Sequence, residues 1–172
     1  MARVFENCLN GRRTAWDDPV KAGRNGLDGL EQVIEMHSPL DLVIIMLGIN
    51  DFQTVHDHTA RHSAQGVGAL IDAVRRAPIE PGMLVPPVLI VVPPAIRVPD
   101  GPVMPKFLGS ENRCVGLADA YGEVARSYGC QVFDAGTVTT TSAVDGIHID
   151  PDQHTVLGEA IAHRVKPLLS SG

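Results

Sequence analysis

Paired cysteines, long apolar runs and clustered positive charge are all scarce in this 172-residue sequence. Cys8, Cys114 and Cys130 are odd in number, widely spaced and form no CxxC pair. That excludes a disulfide framework and a zinc knuckle, and fits a reducing, cytoplasmic setting. No apolar run approaches the about 18–20 residues a membrane span needs, and no apolar h-region opens the chain as in a secretion signal. No Lys/Arg block offsets the formal charge of −6, which excludes nucleic acid and anionic membrane surfaces as partners. A small neutral or cationic ligand suits this charge better.

What is present describes one globular domain over residues 1–172, with 44% hydrophobic and 20% charged residues. Val4 to Leu9 reads as a short strand stopped by Asn10-Gly11. Leu27, Leu30, Val33 and Ile34 have helical spacing, ended by Ser38-Pro39. Leu42 to Leu47 is a continuous apolar run without alternation, the pattern of a parallel strand covered on both faces. Ser63 to Arg76 reads as an amphipathic helix with Ser63 as its N-cap. Val88 to Val92 repeats the buried-strand pattern. Glu111 to Tyr128 reads as a helix, Gln131 to Asp134 as a strand, and His154 to Leu169 as a closing helix. Alternating strands and helices predict a three-layer α/β/α fold with a parallel sheet.

In open parallel sheets, ligands bind at the carboxyl ends of the strands, so the residues just after each apolar run carry the chemistry. Asn10-Gly11 follows the first run, Gly48-Ile49-Asn50-Asp51 the second, and Asp145-Gly146-Ile147-His148 falls after the last. A glycine such as Gly11 lets its N–H approach an oxyanion, and the Asn50 amide supplies a neutral donor. Asp145, three residues before His148, can accept from its Nδ1–H and leave Nε2 free as general base. Taken singly, each motif is ordinary turn chemistry. Their joint occurrence at successive strand ends reads as a hydrolytic site.

Two other groups carry no such signal. His56, Asp57, His58 and His62 lie in a polar stretch that starts a helix and lack a carboxylate second shell, so no metal is expected there. Gly23, Gly26 and Gly29 do not follow a strand in the register of a phosphate-binding loop. No cofactor is expected.

The residues Gly11, Gly48 to Asp51 and Asp145 to His148 resemble the second, third and fifth blocks of the SGNH (GDSL-type) hydrolases, in the arylesterase/perhydrolase-like branch. Leu9-Asn10-Gly11-Arg12, Asp17-Asp18-Pro19 and Val132-Phe133-Asp134-Ala135-Gly136 extend the likeness over Val4 to Leu169. The resemblance implies a flavodoxin-like sheet of order 2-1-3-4-5 and a small ester substrate with a short acyl or aryl group. It assigns His148 as base, Asp145 as its orienting partner, and Gly11 and Asn50 as oxyanion donors.

One block of that family has no counterpart. The family's first strand ends in Gly-Asp-Ser-Leu, whose serine is the nucleophile, and none of the seven serines here follows such a strand. Ser110 and Ser142 are the only ones placed near the crevice by sequence, and neither is expected to act; Cys8 reads as a core thiol. A central strand of about five buried apolar residues is worth about 7–15 kcal/mol, as much as a whole domain's stability. The expectation is therefore an ester-hydrolase scaffold without its nucleophile and inactive alone; alternatives are a ligand-binding module or a half-enzyme completed by another chain. Val4 to Leu9 is expected to pair with Leu42 to Leu47, within the chain or by strand exchange in a homo-oligomer.

Overall fold

A computed structural model describes residues 3–169. Its centre is a parallel sheet of three strands, β1 (Val43–Ile45), β2 (Val88–Val92) and β3 (Gln131–Asp134), in the order β1-β2-β3. Ile44 pairs with Leu89, and Ile90 with Val132, so β2 is the middle strand. All five β2 residues are buried, which is why its sequence shows no alternation.

Alternate β2 side chains divide two cores. Val88, Ile90 and Val92 face helices α1 (Leu30–His37), α2 (Ala60–Arg76) and α3 (Leu117–Tyr128), packing with Val67, Leu70, Ile71 and Tyr121. Leu89 and Val91 face α4 (Pro151–Leu169), packing with Phe133 and Leu157. The fold is thus the expected three-layer α/β/α arrangement. Among the described residues no helix is long and apolar enough to cross a membrane.

Four elements differ from the sequence expectation. Residues 4–9 form no strand and do not pair with β1: Val4 is 77% exposed, and Phe5 stacks on the His37 ring at 4.2 Å. Backbone donors and acceptors form a strand only against a ladder partner, and this segment has none among the described residues. Apolar composition alone cannot supply one. The expected run of 42–47 contracts to β1, with Ile44 44% exposed on an edge without a strand neighbour among the described residues.

The helix over 111–128 is broken. Gly116 takes φ +81° and separates a short helical turn, Ser110–Arg113, from α3. Helix α2 starts at Ala60 rather than after Ser63, because His62 Nδ1 accepts from the Thr59 N–H at 3.1 Å and closes a capping box. Cys8 is exposed, not a core thiol, since the segment that carries it lies outside both cores.

Candidate active site

The Asp145–His148 couple comes from the loop between β3 and α4. Gly146, at φ +76°, turns the chain so that both Asp145 oxygens face inward. Oδ1 accepts from the backbone N–H groups of Ile147 at 2.8 Å and His148 at 2.9 Å, and Oδ2 lies 2.6 Å from His148 Nδ1. Burial pushes the Asp145 carboxyl up. The His148 side chain and the two N–H groups outweigh it and hold its pKa below the usual value. A carboxylate can only accept, so Nδ1 carries the hydrogen and Nε2 keeps a free lone pair. The imidazole is 63% exposed, which leaves Nε2 accessible to solvent.

This loop hangs on the segment that follows β2. Arg97 N–H donates to Gly146 O at 3.0 Å, Asp100 N–H to Asp145 O at 3.1 Å, and Thr141 Oγ1 to Ala95 O at 3.0 Å. A Cβ at Gly146 would stand 2.6 Å from Val98 O, so the contact requires glycine. The couple is therefore positioned by the carboxyl end of the central strand.

The second half lies behind β1. Gly11 occupies a turn at φ +80°, and the Asn50 side chain donates from Nδ2 to Arg12 O at 3.1 Å, so the structure brings Gly11's turn and Asn50 together. Asn50 sits in a 3-10 turn, Ile49–Phe52, that starts at Gly48. Fully buried Asp51 anchors that turn: Oδ1 accepts from the Thr14 N–H at 2.9 Å, and Oδ2 lies 2.8 Å from Thr14 Oγ1 and 2.6 Å from Ser63 Oγ. Gly48 has φ +133°, and a Cβ there would collide with the Tyr121 hydroxyl.

A cleft of about 410 Å3 opens at the carboxyl end of β2, lined by Ile49, by Val92 to Ile96 and by Leu117, with Glu111, Asp119 and Asp134 around it. Among the described residues no hydrogen bond joins the His148 side chain to Asn50 or to a serine hydroxyl; the Ser142 N–H donates to the His148 backbone O at 2.6 Å. Ser63 is committed to Asp51, Ser38 donates to Ile34 O, and the Ser142 hydroxyl accepts from Val144 N–H. Ser110 is fully buried, and Ser170 and Ser171 lie outside the described residues.

The histidine cluster is a ring stack. His56 and His58 are parallel at 4.6 Å, His58 and His62 lie 5.3 Å apart, and Trp16 covers His58 at 4.5 Å. Burial, then the neighbouring His56, His62 and Arg13, depress His58 to about 4. Among the described residues no group of three or more His, Cys, Asp or Glu side chains is arranged to hold a metal. What sequence reading missed is the polar set under Asn50: Arg13, Thr14, Gln53, Ser63 and Tyr121. Bonded members such as Ser63 and Tyr121 lie 58 positions apart, and the set carries no shared local motif.

The sequence and fold have clear relatives. Residues 3–156 match the GDSL-like lipase/acylhydrolase family. The native aryl esterase of M. smegmatis is 36% identical, with a TM-score of 0.90 over 96% of this chain and 79% of that one. A carbohydrate acetylesterase family member from Sinorhizobium meliloti is 33% identical, with a TM-score of 0.88 over 94% of this chain and 78% of that one. No curated protein matches the sequence. With the family match over residues 3–156 and these relatives in agreement, the chain belongs to the GDSL-like lipase/acylhydrolase family of SGNH hydrolases.

Proposed function

We propose that the chain supplies the acid–base and oxyanion half of a serine esterase acting on short acyl or aryl esters, with the nucleophile coming from outside these 172 residues. The observation that carries this reading is the Asp145–His148 couple, 2.6 Å long, with Nε2 of an exposed imidazole as its free end. The relatives described as an aryl esterase and a carbohydrate acetylesterase support the ester class. The apolar cleft beside Ile49 has room for a short acyl or aryl group, and the carboxylates around it disfavour anionic ones.

The steps follow from the donors present. A serine hydroxyl attacks the ester carbonyl as His148 Nε2 takes its proton, and Asp145 stabilises the imidazolium. The Gly11 N–H and Asn50 Nδ2 face the oxyanion. The imidazolium then protonates the leaving alcohol, and the carbonyl re-forms as an acyl-serine. Water, deprotonated by the same Nε2, releases the acid and returns the proton to serine.

A fluorophosphonate probe and p-nitrophenyl acetate test this on two proteins: the 172-residue chain, and the same chain fused behind an apolar strand ending in Gly-Asp-Ser-Leu. The expected result is labelling and hydrolysis only in the fused form, both lost in His148→Ala. Labelling of a serine in the unfused chain would overturn the external nucleophile. A folded fusion without hydrolysis would overturn the esterase and leave the ligand-binding module.

A further inference from the structure

We propose that Arg13 and Gln53 are positioning residues that set the direction of the Asn50 amide, so that its NH2 end and not its carbonyl end faces the oxyanion. The inference rests on the esterase reading for its catalytic meaning. An Asn amide is nearly symmetric in shape, and O and N are told apart by what they bond. Only one orientation stabilises negative charge; the flipped one points a carbonyl dipole at it.

The direction is set by two groups that cannot be reversed: the Arg12 carbonyl, which accepts from Nδ2, and the Arg13 guanidinium behind Gln53. Guanidinium has donors only, and that of Arg13 is fully buried. Its Nη1 donates to Asp17 O at 3.0 Å, and its Nη2 to Asp18 Oδ2 at 3.1 Å and to Gln53 Oε1 at 2.5 Å. Gln53, 1% exposed, must therefore present its oxygen to Arg13 and its NH2 to the other side. That NH2 donates to Asn50 Oδ1 at 2.9 Å. Asn50 Oδ1 is thereby fixed as the inward end, and Nδ2 as the outward one. One Nδ2 hydrogen goes to Arg12 O at 3.1 Å, and the second remains for the oxyanion.

The far end of the relay is held as well. The Asp18 side chain is 4% exposed, and its Oδ1 accepts from the N–H groups of Val20 at 2.9 Å and Lys21 at 3.0 Å. Arg13 thus has a fixed counter-charge that keeps it from rotating away. Polarity runs in one direction from Asp18 through Arg13 and Gln53 to Asn50.

Gln53→Glu reverses the last link. The new carboxylate still accepts from Arg13 but cannot donate to Asn50, so Asn50 either faces it oxygen to oxygen or turns its NH2 inward and sets Oδ1 against Arg12 O. In the fused form at pH 8, kcat is expected to fall about 10²–10³-fold, the loss typical of one oxyanion donor, with KM within about twofold. Gln53→Met, which breaks the relay without reversing it, is expected to cost less. On the unfused chain, 15N NMR is expected to show the Asn50 Nδ2 resonances displaced in both variants, with the β2 backbone resonances unmoved.

Unmoved Asn50 resonances in both variants would overturn the relay. Displaced resonances with an unchanged kcat would overturn its catalytic meaning. If the fused wild type hydrolyses nothing, the esterase reading fails by itself, and the NMR result still decides whether Arg13 and Gln53 direct Asn50.

Discussion

Replacing Asp51 by Asn and by Ala tests the protonation state of the carboxyl under the Asn50 turn. The Ser63 hydroxyl, 2.6 Å from Asp51 Oδ2, is also 2.7 Å from the Tyr121 hydroxyl, which donates to Leu47 O at 2.9 Å. Thr14 Oγ1 and Ser63 Oγ both donate to Asp51 Oδ2, so the Ser63–Tyr121 contact draws on the same Tyr121 proton that faces Leu47 O. Burial pushes the Asp51 carboxyl upward, toward the neutral acid, against the opposing pull of the Ser63 and Thr14 hydrogen bonds and the Arg13 charge.

Asn reproduces a neutral acid's acceptor and donor, so Asp51→Asn is expected to cost about 1 kcal/mol, the reorientation of the Thr14 and Ser63 hydroxyls. Ala orphans the Thr14 N–H and the hydroxyl chain, and at about 1–3 kcal/mol per orphaned buried group the loss is about 2–6 kcal/mol. Urea denaturation at pH 7, followed by fluorescence of the single tryptophan Trp16, measures both. The pH dependence has a fixed sign. An acid whose folded pKa is raised stabilises fully below its unfolded value near about 3.9, and that contribution is lost as pH rises toward the folded value. Asp51→Asn removes this slope. An Asn variant as unstable as the Ala variant would refute the argument, since only an ionised carboxylate loses that much to an amide.

Three further outcomes follow from the geometry. In the fused enzyme, Asp145→Asn lowers kcat about 10⁴-fold by the loss of the correct His148 tautomer, with an unchanged urea midpoint. Gly48→Ala destabilises by at least about 2 kcal/mol, because φ +133° and the Tyr121 hydroxyl both oppose a Cβ; a neutral result would place Gly48 elsewhere. His58 resists protonation down to about 4 while an unfolded histidine takes a proton near about 6.5, so its contribution is present above 6.5 and lost as pH falls toward 4. For this half-buried ring, screening reduces the swing to about 1–2 kcal/mol. His58→Phe flattens that slope in denaturation curves between pH 7 and 4.5.

Legibility in the sequence followed how local each cause is. Strand β2 has the expected bounds, because burial on both faces writes itself as a continuous apolar run; β3 also has the expected bounds, although only Phe133 of its four residues is buried. Residues 4–9 carry a similar composition without the strand, since a ladder depends on a neighbour that composition does not encode. The loops that carry Asn50 and the Asp145–His148 contact follow β1 and β3 as their turn residues suggest, whereas Gly11 sits in a turn that no strand precedes. Arg13, Gln53 and Tyr121 were not legible, because a single polar residue inside an amphipathic pattern gains meaning only from its partner. Gly116 breaks the 111–128 stretch at φ +81°, a conformation that the helical periodicity around it does not announce.

The open edge of β1 has a consequence for handling the protein. Ile44, 44% exposed, stands on a row of backbone donors and acceptors that no neighbouring strand covers among the described residues. Such a row templates extended peptide regardless of sequence, and the acidic surface that disperses the rest of the molecule does not shield it. Colloidal behaviour of a purified sample is therefore governed by one strand edge: turbidity rises with protein concentration and with salt, and a lysine introduced at Ile44 clears it.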